Sequence, residues 1–493
     1  MLSDSRRYST ALLVFLLAAC IVRFWLFLLP ESFWLDETVT AFVLRHGASH
    51  PSLAAGPRLD QTIYYWLPRA SQAILGFSEL SLRLPSLIAT LVSLLLTARI
   101  ASRLIHPDAA WFAVFLCFIP HEFARQATDA RPYGLGTALA LAAVWLLIRW
   151  LDKGRWPDGL LFAIAAAALV RVHLIYWPFY AVFMVYPGIR WWRRETAVSR
   201  RAAFGVFAVI AASLVPVIPI TLSLFSEARQ HVVVAPPTWG NVVSGLQLPL
   251  LAALGAASWF AAKFLHRAPR ENKAITLSGA ALLAMWWLWQ PFCLLAVSLI
   301  AGTPVFLPRY FSLAIPGMML AGVAAVGYFL PARMWRPAAM VLATGILIVG
   351  FSKEPFPPTR NSHWREAAQA VNDAVRNADM PVICPSPFVE ARSPAWSPNY
   401  ILPGFLYAHL DAYPIHAAIF LLPARAEPAG QTYASVLAGD RLIPARRFLV
   451  YGGTFGVSLW TDWFMAQPEF AHWHNFQVGK FGEVEIVEFV PNQ

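Results

Sequence analysis

"IVRFWLFLLPESFWLDETVTAFVLRHG", residues 21–47, runs from the end of a long apolar segment straight into two adjacent carboxylates, Asp36 and Glu37. The apolar segment begins near residue 10 and ends near residue 29. That is enough to cross a bilayer, whose hydrocarbon core takes about 20 helical residues. The acidic pair therefore sits where the chain leaves a membrane.

Composition supports a polytopic membrane protein. Of the 493 residues, 58% are hydrophobic and only 13% are charged, too apolar a balance for a soluble protein of this size. The formal net charge of +11 would suit a nucleic-acid binder if the basic residues formed a stripe. They are instead spread over many short loops, the distribution of positive-inside anchoring, and no nucleic-acid partner is expected. Cys20, Cys117 and Cys293 lie within apolar runs and Cys384 in the polar tail, so no disulfide framework follows. "SRRYS" and the "LAAC" ending at Cys20 resemble export and lipoprotein signals, but the apolar run continues past Cys20. An uncleaved first span is expected.

Apolar runs set against basic clusters place eleven spans, near residues 10–29, 84–101, 108–121, 133–150, 157–171, 173–189, 202–224, 247–262, 274–301, 310–330 and 337–351. The boundaries at 157–189 are the least defined, because two short runs nearly abut. Alternate loops carry Arg6 and Arg7; Arg99 and Arg103; Arg149, Lys153 and Arg155; Arg190 to Arg201; Lys263 to Lys273; and Arg333 with Arg336. The positive-inside rule puts these loops and the N-terminus in the cytoplasm and the C-terminus outside. Asp36 and Glu37 then open the first outer loop, residues 30–83, rich in Trp, Tyr and Leu and expected to form amphipathic helices lying in the interface. The same parity sends "HEFARQATDARPYG" (121–134), "RVH" (171–173) and "PRY" (308–310) to the outer face. Ionisable groups at that depth face a cavity or one another, since lipid exposure is costly.

Residues 1–351 read as a transmembrane domain and 352–493 as a small extracytoplasmic α/β domain. In the tail, Ser362 is placed to cap a helix over "HWREAAQAVNDAVRN", and "PVIC", "RRFLVYGG" and "EVEIVEFV" read as strands between Pro-rich linkers. "YGGTFG" lacks the spacing of a dinucleotide fingerprint, and no helix is expected after it.

Each candidate site residue has a structural alternative. Asp36 and Glu37 suit the first turn of a helix through "TVTAFVL", as cap and favourable charge, or supply a general base beside Trp34. Asp129 and Arg131 suit a structural ion pair with Tyr133 in an aromatic belt, or Arg131 offers its planar fork to phosphate oxygens with Tyr133 as a further donor. Arg309 and Tyr310 in "FLPRYFS" suit ordinary snorkelling or the same anion. Arg171 and His173 are weaker candidates, and "HEFAR" lacks the second histidine of a zinc-protease helix. Together these groups describe an outward-facing interfacial pocket at the depth of lipid phosphates.

"FWLDETVTAF", "TIYYWLPRASQAILGFSELSLRLPSLIAT", "ATDARPYGLGTALAL" and "LPRYFSLAIPG" resemble, in this order, motifs of bacterial membrane glycosyltransferases of the GT-C fold, those related to protein O-mannosyltransferases and the lipid A aminoarabinose transferase. The resemblance covers about residues 10 to 330, and "HWREAAQAVNDAVRNADMPVICPSP" is similar to the start of the small outer domain of many members. Two departures stand out: "RLDQTIYYW" around Tyr64 and Tyr65 replaces the members' His-Pro-Pro before the tyrosines, and Asp129 stands where they often have Glu. The resemblance implies an all-α multi-span GT-C membrane domain with a small α/β outer domain. It implies an inverting transfer of a sugar from a polyprenyl-phosphate carrier to a hydroxyl of an envelope glycan, lipid or protein, at the outer face of the bacterial cytoplasmic membrane and among its lipids. It implies Asp36 as the catalytic base with Glu37 beside it, and Arg131 and Arg309 near the donor phosphate. Asp129, Tyr133, Tyr310, Tyr64, Tyr65 and His173 join them as candidate substrate-binding residues. Some relatives suggest a divalent ion, but no ligand set is legible. A polyprenyl-lipid transporter or flippase is the alternative; it needs interfacial arginines but no outer carboxylate, and should carry broken helices nearer mid-bilayer. A phosphoethanolamine-type transferase would bring a larger metal-binding domain than this tail.

Overall fold

The computed structural model describes residues 2–47, 49–50, 62–222, 237–264, 275–300, 305–353, 356–376, 380–388 and 402–492. Part of the loop over residues 30–83 and most of the Lys263 to Lys273 cluster lie outside them. The chain divides into two units. The first holds the described residues of Met1–Leu29, Thr62–Phe225 and Ala235–Pro358, and the second those of Pro30–Gln61 together with Thr359 onward.

The first unit is all helical: α1 (Leu2–Phe24), then, after α2 (Leu35–His46) of the second unit, α3 (Trp66–Leu75), α4 (Glu79–Leu104), α5 (Ala110–Leu116), α6 (His121–Gln126), α7 (Tyr133–Lys153), α8 (Trp156–Val172), α9 (Tyr180–Trp192), α10 (Arg200–Leu214), α11 (Trp239–Gly245), α12 (Leu248–Phe264), α13 (Leu277–Ile300), α14 (Ala314–Phe329) and α15 (Trp335–Lys353). Within the described residues, each expected apolar window overlaps at least one of these helices. By length and composition, six segments are fit to cross a membrane: Arg6–Leu28, Glu79–Leu104, Tyr133–Lys153, Arg200–Leu222, Leu277–Ile300 and Ala332–Lys353. A seventh forms if α11 and α12, bent by 51°, count as one. The remaining windows are shorter. Pro107–Leu116 and Ala314–Phe329 are apolar helices of sub-spanning length, and the abutting pair at 157–189 is α8 and α9, parted by a 3-10 turn over Leu174–Phe179 that contains Pro178. Proline removes a helical donor and crowds the preceding turn, which is why an apolar run need not be one straight span.

Local sequence sets the helix ends. Ser78 and Ser81 exchange backbone-to-hydroxyl bonds of 3.0 and 3.1 Å at the start of α4. α7 stops at Gly154, whose φ of +66° is a left-handed C-cap that costs glycine little. In α3, the exposed Trp66, Ala70 and Ile74 form a stripe at helical spacing, as expected of an interfacial helix.

The basic loops meet at one end of the helices. Asp152 of α7 takes Arg103 of α4 at 2.7 Å and Arg190 of α9 at 2.9 Å. Asp108, just past α4, takes Arg336 at 3.4 Å and Arg6 at 3.9 Å. Four of the six clusters placed on one side by charge thereby contribute an arginine to these two carboxylates, and Asp152 itself lies between Arg149 and Lys153 of a fifth.

The second unit is α/β. Its sheet consists of β1 (Val382–Pro385), β2 (Ile419–Leu422), β3 (Phe448–Gly453), β4 (Trp473–Phe481) and β5 (Val484–Pro491), in the order β2-β1-β3-β5-β4. β1 pairs in parallel with β2 and β3, while β5 is antiparallel to both β3 and β4. α2 belongs here with α16 (Trp364–Arg376), α17 (Ala408–Ala412), α18 (Pro428–Leu437) and α19 (Thr454–Met465). The core gathers Ile383, Leu422, Phe448, Trp460, Phe464 and Phe489, with the rings of Phe448 and Phe489 stacked 4.5 Å apart.

The three expected strands are present. β2 has only four residues, and β4 is an edge strand exposed along most of its length, so neither gives a hydrophobic alternation to read. Two expectations are corrected. α19 directly follows β3 at "YGGTFG". The Ser362 hydroxyl, expected to cap α16, donates to Glu483 at 3.2 Å. All four cysteines are free, and Cys384 lies buried with its Sγ 3.3 Å from His409 Nε2. Burial pushes the Cys384 thiol up and the His409 imidazole down to about 3, so both stay neutral.

Candidate functional site

Helix α2 of the second unit carries the acidic pair on its first turn, with Trp34 at the N-cap, Asp36 at N2 and Glu37 at N3. The two carboxylates diverge. Glu37 is fully buried, and its Oε2 accepts 3.1 Å bonds from the Trp34 backbone N–H and from Arg360 Nη1. Asp36 is half-exposed, beside the positive end of the helix. The other end of α2 is fastened by Asp411, which takes His46 at 2.8 Å and Arg45 at 3.5 Å. Just before α2, the Phe33 N–H donates to the Tyr413 hydroxyl at 2.7 Å and the Ser32 hydroxyl to the Ser362 carbonyl at 2.8 Å.

This gives Glu37 a fixing role. Arg360 is only 10% exposed, so the pair is nearly dry, and removing one partner leaves the other's charge poorly compensated. Arg360→Ala is expected to destabilise the second unit by about 3–5 kcal/mol, read as faster amide exchange across α2. Joining Arg360→Gln with Glu37→Gln should restore most of the protection, because no unmatched charge remains. Equal exchange in Arg360→Ala and wild type would rule out the anchoring role. Arg360 was not legible as a partner, because 323 residues separate it from Glu37.

In the first unit, three sequence segments converge around His173. Its ring lies 5.8 Å from that of Tyr133 in near-parallel stacking, 5.8 Å from Tyr310 and 5.4 Å from Tyr176. Arg309 lies over the Tyr310 ring at 5.5 Å. His173 stands in the connection between α8 and the 3-10 turn, outside the spanning helices, where its Nδ1 accepts the Ile175 N–H at 3.3 Å. Burial, followed by the positive charges of Arg131 and Arg309, holds its pKa well below the ordinary value. A neutral imidazole with Nδ1 used as acceptor carries its proton on Nε2, so His173 presents a neutral N–H donor within reach of the charges of Arg131 and Arg309.

The scaffold explains the convergence. The 3-10 turn Pro308–Phe311 that carries Arg309 is tied to α13, with Gln290 Nε2 donating to the Tyr310 carbonyl at 2.9 Å and Trp286 Nε1 to Leu313 at 2.6 Å. Ser312 then links to Tyr176 by a hydroxyl–hydroxyl bond of 3.1 Å and accepts from Thr137 of α7 at 3.4 Å. Tyr176 lies so close over α7 that a Cβ at residue 136 would stand 2.3 Å from its ring, so only glycine fits there. Tyr176, Ser312 and Thr137 were missed by the sequence reading, since only their packing reveals them.

Asp129 is 4% exposed, and its carboxylate pairs with Arg125 at 3.1 Å, one helical turn earlier. Arg171 is spent on structure: its guanidinium donates to the Ala167 and Ser213 carbonyls and ties α8 to α10. Tyr64 and Tyr65 are buried, with ring centres 5.3 Å apart, in the turn that leads into α3. Arg83, unremarked in the sequence and fully buried, donates to the Leu28 and Leu29 carbonyls at 3.1 and 2.9 Å and so fixes the end of the first span. Among the described residues, no three His, Cys, Asp or Glu side chains group to hold a metal.

Residues 61–219 match the sequence profile described as "Dolichyl-phosphate-mannose-protein mannosyltransferase". No curated protein matches the chain by sequence. The chain is similar in structure to ArnT from Cupriavidus metallidurans in the apo state, with a TM-score of 0.52 at 12% identity and 98% of both chains covered. The similarity to the same protein bound to undecaprenyl phosphate has a TM-score of 0.53 at 12% identity, covering 97% of this chain and 98% of that one. The four motifs read from the sequence therefore stand on a GT-C fold followed by a small α/β domain, with the mannosyltransferase sequence profile confined to residues 61–219.

Proposed function

We propose that this protein is an inverting glycosyltransferase that moves a sugar from a polyprenyl-phosphate carrier to an acceptor hydroxyl at the outer face of the cytoplasmic membrane. The observation that carries this reading is the cluster of Arg131, Arg309 and a neutral His173 among tyrosines, a donor-rich group suited to a phosphate anion. Arg131 and Arg309 provide planar forks to phosphate oxygens, His173 Nε2–H adds a neutral donor, and Tyr133 and Tyr310 flank His173. The undecaprenyl phosphate held by ArnT, which shares the fold, supports the same ligand class here.

In this reaction, Asp36 accepts the proton of the acceptor hydroxyl as its oxygen bonds the anomeric carbon, and the carbon–oxygen bond to phosphate breaks on the opposite face. Configuration inverts. The polyprenyl phosphate leaves with the bonding electrons, and the arginines stabilise its charge, so no general acid is needed. The half-exposed position of Asp36, against the fully buried Glu37, supports Asp36 as the base. Asp129 acts through Arg125, and Tyr64 and Tyr65 are candidates for the sugar or acceptor side. The described residues do not offer a metal-binding set, and no step here passes through an ion.

The test is mass spectrometry of envelope glycans, lipids and glycoproteins from a deletion strain, followed by transfer from the matching polyprenyl-phosphate sugar by purified protein. One missing sugar, restored in vitro, is the expected result; an unchanged envelope and no transfer would reject the reading. The side of the membrane is tested separately. A reporter that works only in the cytoplasm, fused after Gln493, is expected to be silent, given an odd number of crossings and basic residues in alternate loops. A strong signal would reverse the orientation.

A further inference from the structure

A charged cavity lies at the basic-loop end of the first unit, built by α4 and α7. It measures about 370 Å³ and is lined by Arg103, Trp145, Ile148, Arg149, Asp152 and Lys153. Five of these are spaced at 145, 148, 149, 152 and 153, one face of α7, and Arg103 comes from the last turn of α4. Three cations against one carboxylate leave the lining positive.

The cations are held from behind. Asp152 is gripped at 2.9 Å by Arg190 of α9 and in turn holds Arg103 at 2.7 Å. Arg149 is braced at 3.0 Å by the buried Asp158 of α8, while its Nε makes no hydrogen bond among the described residues. Lys153 is exposed and makes no ion pair among the described residues. The half-exposed Trp145, one helical turn before Arg149, and the buried Ile148 beside Arg149 give the cavity an apolar wall.

We propose that this cavity binds the phosphodiester headgroup of an anionic phospholipid in the leaflet at the basic-loop end. The Lys153 ammonium and the guanidinium nitrogens of Arg103 and Arg149 not spent on Asp152 and Asp158 match phosphate oxygens, and the adjoining apolar wall suits the glycerol and upper acyl chain. A free phosphate shares the anion chemistry but leaves Trp145 and Ile148 unused.

The test uses the full chain purified in an uncharged detergent, with lipid retention read by native mass spectrometry. The probes are phosphatidylglycerol, phosphatidylcholine with the same chains, and inorganic phosphate. Phosphatidylglycerol is expected to be retained about tenfold better than phosphatidylcholine, with Arg103→Gln and Lys153→Gln each lowering that preference several-fold, the scale of one charge-assisted contact. Lys153 is exposed, so its variant keeps the fold; equal melting temperatures of wild type and Lys153→Gln without lipid check this. Equal retention of the two lipids, or unchanged preference in Lys153→Gln, would overturn the site. Retention of inorganic phosphate that displaces phosphatidylglycerol would overturn the lipid assignment.

Discussion

Asp36→Asn is expected to lower kcat for sugar transfer by about 100-fold or more, the usual scale for losing a positioned general base, with little change in donor affinity. The amide keeps the shape of the side chain at the second position of α2 but cannot take the acceptor proton. Folding should survive, because α2 is fastened by Glu37 to Arg360 and by Asp411 to Arg45 and His46. Glu37 is the control. Glu37→Gln keeps an oxygen for the Trp34 N–H and loses the charge facing Arg360, so its main cost is stability and its kcat loss is smaller. Asp36→Asn activity within a few-fold of wild type, in protein of normal stability, would remove Asp36 as the base.

The second large effect concerns the donor phosphate. Arg309→Lys and Arg131→Lys are each expected to weaken binding of the polyprenyl-phosphate donor by roughly 1.5–3 kcal/mol, about 10- to 100-fold, because an ammonium keeps the charge but loses the paired-donor geometry. KM for the acceptor should be unchanged. The structural alternative makes a different forecast. If Arg131 served only to balance Asp129, the double change Asp129→Asn with Arg131→Gln would recover the activity that each single change loses. The 3.1 Å bond from Arg125 to Asp129 gives that carboxylate a cation of its own, so no recovery is expected. Full recovery would remove Arg131 from the phosphate site and leave Arg309 as its main cation.

The membrane character, the helices and the grouping of the basic loops were legible from one-dimensional patterns. Length of apolar run, charge placement and turn residues act locally, so each leaves its mark within about 20 residues of sequence. The outer ends of the α7, α8 and 308–311 segments could be placed at one depth by counting crossings, which is why Tyr133, His173 and Arg309 were legible together. How many runs form full spans was not legible, because Pro178 and the 51° bend between α11 and α12 alter length without altering composition.

What the sequence determined by itself was therefore the class of protein, the candidate residues and, through the order of four motifs, the GT-C likeness. The tertiary structure decided the surroundings of each residue within that set. Asp36 and Glu37 are chemically alike and adjacent, and only burial against Arg360, more than 300 residues away, separates the anchor from the candidate base. His173 is an ordinary histidine in sequence. Its neutral state and its Nε2 proton come from the Ile175 N–H, from burial, and from two arginines brought to it by α7 and by the Pro308–Phe311 turn. Desolvation and proximity of charge depend on distance in space, and folding alone sets those distances.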